Sequence, residues 1–170
     1  MRTFLSLAPD AHTAIAIEKW CSLCWPALSR KVPMQNYHVT VAFLGDINND
    51  QLILLREMLD QLEHSAFELV FNEVKYWPDS TLLWLGADTV PDDALQLADK
   101  CKNIANRAGV RTGSRRYEPH LTLARKTESP PGVPLIDPQF PMKFESVQLM
   151  QSIRERSGVR YIELDSWPMK

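Results

Sequence analysis

The pattern His-apolar-Thr-apolar-Ala occurs twice in this chain, at His38-Val39-Thr40-Val41-Ala42 and at His120-Leu121-Thr122-Leu123-Ala124. Apolar and polar residues alternate through both copies, the period of a β-strand with one buried face. Such strands bury Val39, Val41 and Phe43 in one copy, and Leu121 and Leu123 in the other. Each presents a His–Thr–Ala face on its opposite side. Two of the chain's four histidines are used in this way. One His-x-Thr on a strand is ordinary polar surface. Two matching copies imply a common site, with two imidazoles and two hydroxyls around one cleft.

The rest of the chain supplies a frame for these strands. Arg2 to Ala8 reads as a strand with Thr3, Leu5 and Leu7 on one face. Asp10 then caps a helix whose core face carries Ala14, Ile17, Cys21, Cys24 and Leu28, with Pro26 ending or bending it. The first motif strand runs from Tyr37 to Leu44, and Asn48-Asn49-Asp50 caps a second helix over about Gln51 to Glu63. Phe67 to Trp77 and Thr81 to Ala87 read as paired strands around the turn Pro78-Asp79-Ser80. Pro91-Asp92-Asp93 opens a third helix that Gly109 stops. After the second motif come a proline-rich loop, Ser129 to Pro141, and two last strands, about Lys143 to Ser152 and Val159 to Asp165. Helices mixed with frequent hairpins predict an α+β fold with largely antiparallel sheets. The duplicated motif predicts two lobes within a single domain over residues 1–170, with helices packed outside and the motifs in a central cleft.

A net charge of -2 argues against coating nucleic acid by bulk electrostatics, yet leaves room for a local basic site. That site is visible between Arg107 and Lys126, where Arg107, Arg111, Arg115, Arg116, Arg125 and Lys126 stand against one acid, Glu118. No run approaches a membrane span, and the apolar part of Met1 to Pro9 is too short for a signal peptide, so a cytoplasmic protein is expected. No long exposed apolar stripe is evident, which favours a monomer without a protein partner. Cys21 and Cys24 form a C-x-x-C inside a helical pattern, with no second pair; reduced packing residues are the expectation. His12 and His64 lack the motif context and read as surface residues.

Near neutral pH, imidazole accepts a proton and imidazolium donates one. Two histidines on opposite sides of a reacting centre can therefore serve as base and acid in an in-line displacement at phosphorus. The Thr40 and Thr122 hydroxyls, two residues along on the same faces, can hold the non-bridging oxygens, and Arg125 can balance their charge. The scheme needs no metal and no cofactor. A zinc site at His38 and His120 would require a third ligand that neither strand offers beside them. G-x-S-x-G and P-loop patterns are absent. Tyr37, Trp77 and Tyr117 are candidates for stacking on a base, and Phe43 is assigned to the core.

His38-Val39-Thr40-Val41-Ala42-Phe43-Leu44-Gly45 and His120-Leu121-Thr122-Leu123-Ala124-Arg125, with Asn36-Tyr37 before the first and Pro119 before the second, resemble the paired H-x-T-x motifs of the two-histidine phosphoesterase superfamily. Within it the chain is most similar to the RNA 2′,3′-cyclic phosphodiesterases, also called the 2′-5′ RNA ligase family. The resemblance implies a bilobal fold and hydrolysis of 2′,3′-cyclic phosphate ends of RNA, or of small cyclic nucleotides, to 2′-phosphates. It implies that His38 protonates the departing 3′ oxygen, His120 activates water, and Thr40 and Thr122 hold the phosphate. It also implies an ATP-independent 2′-5′ ligation as the reverse reaction in some members. The competing expectation is a non-catalytic or weakly catalytic module that binds RNA ends or nucleotides.

Overall fold

The computed structural model describes all of residues 1–170. In chain order the elements are β1 (Arg2–Leu7), α1 (Ala11–Cys24), a 3₁₀ turn (Met34–Asn36), β2 (Val39–Asp46), α2 (Asn49–Leu59), β3 (Phe67–Phe71), β4 (Glu73–Trp77), β5 (Leu82–Gly86), α3 (Asp92–Arg107), β6 (Leu121–Ala124), β7 (Phe140–Phe144), β8 (Ser146–Glu155) and β9 (Gly158–Pro168). Helix starts follow the capping chemistry read from the sequence. The Asp10 carboxylate accepts from the Thr13 N–H at 2.8 Å. Asn48 and Gln51 form a reciprocal capping box, so α2 begins at Asn49 and ends by Leu59, earlier than the apolar pattern suggested. At the end of α3, Gly109 adopts φ +77, a left-handed conformation that a Cβ disfavours, and turns the chain away.

Seven strands form one antiparallel sheet in the order β4-β5-β6-β2-β1-β8-β9, and β3 pairs with β7 in a separate two-stranded sheet. The fold is thus the expected α+β arrangement with two antiparallel sheets, but two strand assignments change. Phe67 to Trp77 is not one strand: it breaks at Asn72, whose N–H bonds Gly86 O at 3.0 Å, and β3 and β4 enter different sheets. A separate strand, β7, begins at Phe140 inside the expected proline-rich loop and carries Pro141. Pro141 is tolerated because both strands of a two-stranded sheet are edges.

The helices cover one face. α3 packs against β2 and β3, α2 against α3, and α1 against β7. Beneath them lie Leu5, Leu7, Val39, Val41, Leu121 and Leu123, all buried in a continuous core. The motif strands meet at one register pair, Val39 opposite Leu121, where the sheet's two halves join. The opposite face of the sheet at this waist carries the motif polar residues.

Strand β2 does not keep its alternation. The β1–β2 pairing pairs Ser6 with Thr40 but Leu5 with Ala42, so Val41 is an extra residue in a bulge. The bulge reverses the faces beyond it. Ala42 and Leu44 turn into the core at 3% and 4% exposure, and Phe43 emerges 62% exposed beside Phe4, at a ring separation of 6.5 Å. The assignment of Phe43 to the core is therefore corrected. His64 is also corrected: it is buried, with Nδ1 3.4 Å from Lys100 Nζ. Cys21, Cys24 and Cys101 are buried free thiols, as expected for packing residues.

Gly86 marks a close approach. A Cβ built there would lie 2.7 Å from the Trp84 indole. Gly86→Ala is expected to destabilise the fold by about 1–3 kcal/mol, the usual cost of overpacking, read as a lower denaturant midpoint at unchanged slope. A variant as stable as the parent would show that the indole moves freely.

Candidate active site

Each motif histidine is fixed by the same local device. His38 Nδ1 lies 2.7 Å from the carbonyl oxygen of Asn36, and His120 Nδ1 lies 2.8 Å from that of Glu118. A carbonyl only accepts, so Nδ1 of each neutral ring carries the hydrogen and donates it. Each Nε2 is left with its lone pair, and each is the nitrogen available for chemistry. The residue two positions upstream thus selects the tautomer in both copies.

The register that pairs Val39 with Leu121 carries His38 across from Thr122 and Thr40 across from His120. The four side chains form a diagonal set about the junction of the sheet's two halves. Thr40 and Thr122 are 6% and 9% exposed, and both histidines are half-buried. Burial is the leading cause that lowers both imidazoles below their ordinary range, and the positive charge of Arg125 lowers both further. His38 is pushed down to about 4, and the charge of His120 adds to that depression. Both rings are accordingly neutral at pH 7 in the empty cleft. One basic side chain, Arg125, thus acts on both imidazoles.

Aromatic rings wall each histidine. Phe4 and Tyr161 stand 4.9 Å from the His38 ring, Tyr161 edge-on. Trp77 and Trp84 stand 4.8 Å and 5.7 Å from the His120 ring. Trp77, named from the sequence, does reach the cleft. Tyr37 does not: it is 6% exposed within the core, and burial pushes its phenol pKa up. Tyr117 packs against the core and is raised by burial in the same way. Alternation explains Tyr37, because the residue before His38 points away from it. Phe4, Trp84 and Tyr161 were missed. Phe4 and Trp84 occupy the cleft side of their strands and were within reach of a period-2 reading. Tyr161 arrives through the β1–β8–β9 pairing, with no local signal in the sequence.

Lys75 lies above the Trp84 ring at 5.3 Å and bonds Glu73 and Glu118 at 3.1 Å and 3.3 Å. Its charge is thereby spent on the wall of the site. No group of three or more His, Cys, Asp or Glu gathers as a metal-ligand set.

Two tautomer-locked imidazoles and two threonines at one waist of the sheet suit phosphoester chemistry of the two-histidine kind. A family described as LigT like Phosphoesterase matches residues 26–84 and 85–161, and the chain belongs to that family, whose members are hydrolases. An RNA 2′,3′-cyclic phosphodiesterase of Escherichia coli is 28% identical over 171 aligned residues, covering 99% of this chain and 96% of that protein. A crystal structure of a phosphoesterase superposes with a TM-score of 0.92 at 26% identity, covering 99% of this chain and 97% of the other. E. coli LigT complexed with 3′-AMP gives 0.89 at 26% identity, with the same coverage.

Proposed function

We propose that this protein hydrolyses 2′,3′-cyclic phosphate ends of RNA to 2′-phosphates by general acid–base catalysis between its two histidines. The observation that carries the reading is the pair of Nδ1-anchored imidazoles, each with a free Nε2, flanking two threonines. The activity named for the E. coli relative supports the choice of substrate. Nε2 of His120 takes a proton from water as the water oxygen attacks phosphorus. The bond from phosphorus to the 3′ oxygen breaks, and His38 delivers its Nε2 proton to that oxygen. Thr40 and Thr122 donate to the non-bridging oxygens, while Arg125 offsets their charge. The cycle leaves His120 protonated and His38 neutral, and exchange with solvent resets both. With a ribose 5′ hydroxyl in place of water as the nucleophile, the same displacement would break the bond to the 3′ oxygen and join ends through a 2′-5′ linkage.

His38 is pushed down to about 4 and His120 is lowered too, so His38 holds no proton near neutral pH in the empty cleft. The polarity above therefore requires the anionic phosphate to draw a proton onto His38 as it binds. This gives a pH prediction. A depressed acid loses its proton as pH rises, so kcat/KM should peak below the ordinary imidazole value of about 6.5 and decline above it. The kcat profile, set by the bound state, should lie at higher pH. Rates of kcat/KM that stay level from roughly pH 5 to 9 would contradict the mechanism.

The deciding experiment mixes purified protein, excess EDTA and a nucleoside 2′,3′-cyclic phosphate, and identifies the product by phosphorus NMR. A 2′-phosphate supports the mechanism as written. A 3′-phosphate retains the two-histidine chemistry but reverses the roles of His38 and His120. Absence of turnover on this substrate and on RNA with a cyclic end would overturn the reading.

A further inference from the structure

Arg125, the residue after β6, stands next to a second cavity of about 960 Å³, which its neighbour Lys126 lines. Its backbone N–H donates to Arg30 O at 3.2 Å, while its side-chain charge acts on both imidazoles. Arg30 and Lys126 supply the cavity's cations, Ser29 and Thr127 supply hydroxyls, and Glu128 is its sole acid.

The backbone here is strained in a concerted way. Arg30, Thr81 and Lys126 adopt φ 54, 53 and 54, and they are the chain's only non-glycine residues in the left-handed region. All three line this cavity. That conformation costs energy in any L-residue and is an outlier for a β-branched one. Two of the strained residues clamp the third: Arg30 O holds the N–H of Arg125, and Thr81 O holds that of Thr127 at 3.0 Å. Lys126 is thus fixed at the tip between two tethered neighbours. The peptide N–H groups of Ser29, Arg30 and Lys126 make no backbone hydrogen bond. Two cations, hydroxyls and free N–H groups on a rigid turn are the chemistry of an anion site.

We propose that this cavity is a phosphate subsite, and that it takes the phosphodiester on the 5′ side of the cyclic end. The inference rests on the phosphodiesterase reading above. A cyclic phosphate closes the 3′ terminus, so the chain can continue only on the 5′ side, and the next anion must lie one nucleotide away. Arg125 and Lys126 are adjacent in the chain and Arg30 O holds the Arg125 N–H, so the region for the reacting phosphate and the region for its neighbour adjoin. A mononucleoside cyclic phosphate offers nothing to the second.

The test compares kcat/KM for a nucleoside 2′,3′-cyclic phosphate with that for a short oligoribonucleotide ending in the same group, across a salt series. The parent should favour the oligonucleotide by about 10-fold or more, and more steeply at low salt. The double substitution Arg30→Gln, Lys126→Gln should abolish that advantage while the nucleoside rate stays within about 2-fold. The salt slope on the oligonucleotide should flatten by about 0.7, the contribution of one neutralised phosphate on a single strand. The charge-preserving pair Arg30→Lys, Lys126→Arg should keep most of the advantage, which separates charge from folding. Equal parent rates on the two substrates, or an equal loss on both in the Gln variant, would overturn the subsite. Failure of the parent to turn over either substrate is a different result, which removes the phosphodiesterase reading and the subsite with it.

Discussion

Replacing His120 with alanine should lower kcat by about 10²–10⁴-fold, or roughly 3–5 kcal/mol of barrier, and His38→Ala should do the same. Each imidazole is half-buried beside aromatic rings, and each is locked by its Nδ1 hydrogen bond so that only Nε2 can exchange a proton. Alanine removes that proton donor or acceptor, and no other ionisable group that moves protons near neutral pH stands beside either ring. The double variant should be scarcely slower than the worse single one, because a base without its acid gains little and residues acting as a unit are non-additive. Steady-state kinetics on a cyclic phosphate, with far-UV circular dichroism to confirm folding, measures this. Full activity in either single variant would end the two-histidine mechanism.

Trp84→Ala should be the most damaging single change outside the histidines. Trp84 is 1% exposed, stacks on Trp77 at 4.3 Å, faces His120 and carries Lys75 above its ring. Truncating a buried tryptophan costs about 3–5 kcal/mol. That is a large part of the ~5–15 kcal/mol that holds a typical domain together. The same change strips one wall from His120, admitting water and relieving its desolvation. The His120 pKa should then rise towards its ordinary value, which NMR titration of the ring protons would follow. Chemical denaturation gives the stability. A loss under about 1 kcal/mol would show that the neighbouring rings close the gap.

Much of this site could be read from local pattern. His38, Thr40, His120 and Thr122 share strand faces because side chains alternate every two residues, and that rule operates within a few residues of chain. The structure brings the two pairs to one waist, with Val39 opposite Leu121. Helix caps at Asp10 and Asn48 were equally local. The rule failed where the backbone departed from it. The bulge at Val41 added one residue to β2 and reversed the faces, so Phe43 came out to solvent. A bulge is decided by the partner strand, whose pairing is not written in the β2 sequence.

The α+β class, the paired histidines and threonines, and the family to which the chain belongs were all legible in the residues alone, since each depends on short-range periodicity and motif spacing. Which aromatic rings surround the histidines depended instead on how distant strands pair. Trp77 stays at the cleft, Tyr37 and Tyr117 turn inward, and Phe4, Trp84 and Tyr161 join from three strands. The tertiary structure also brings Arg30, Thr81 and Lys126 into one strained cavity next to Arg125. Such contacts join segments far apart in the chain, and their formation depends on how the whole sheet pairs and which face its helices cover.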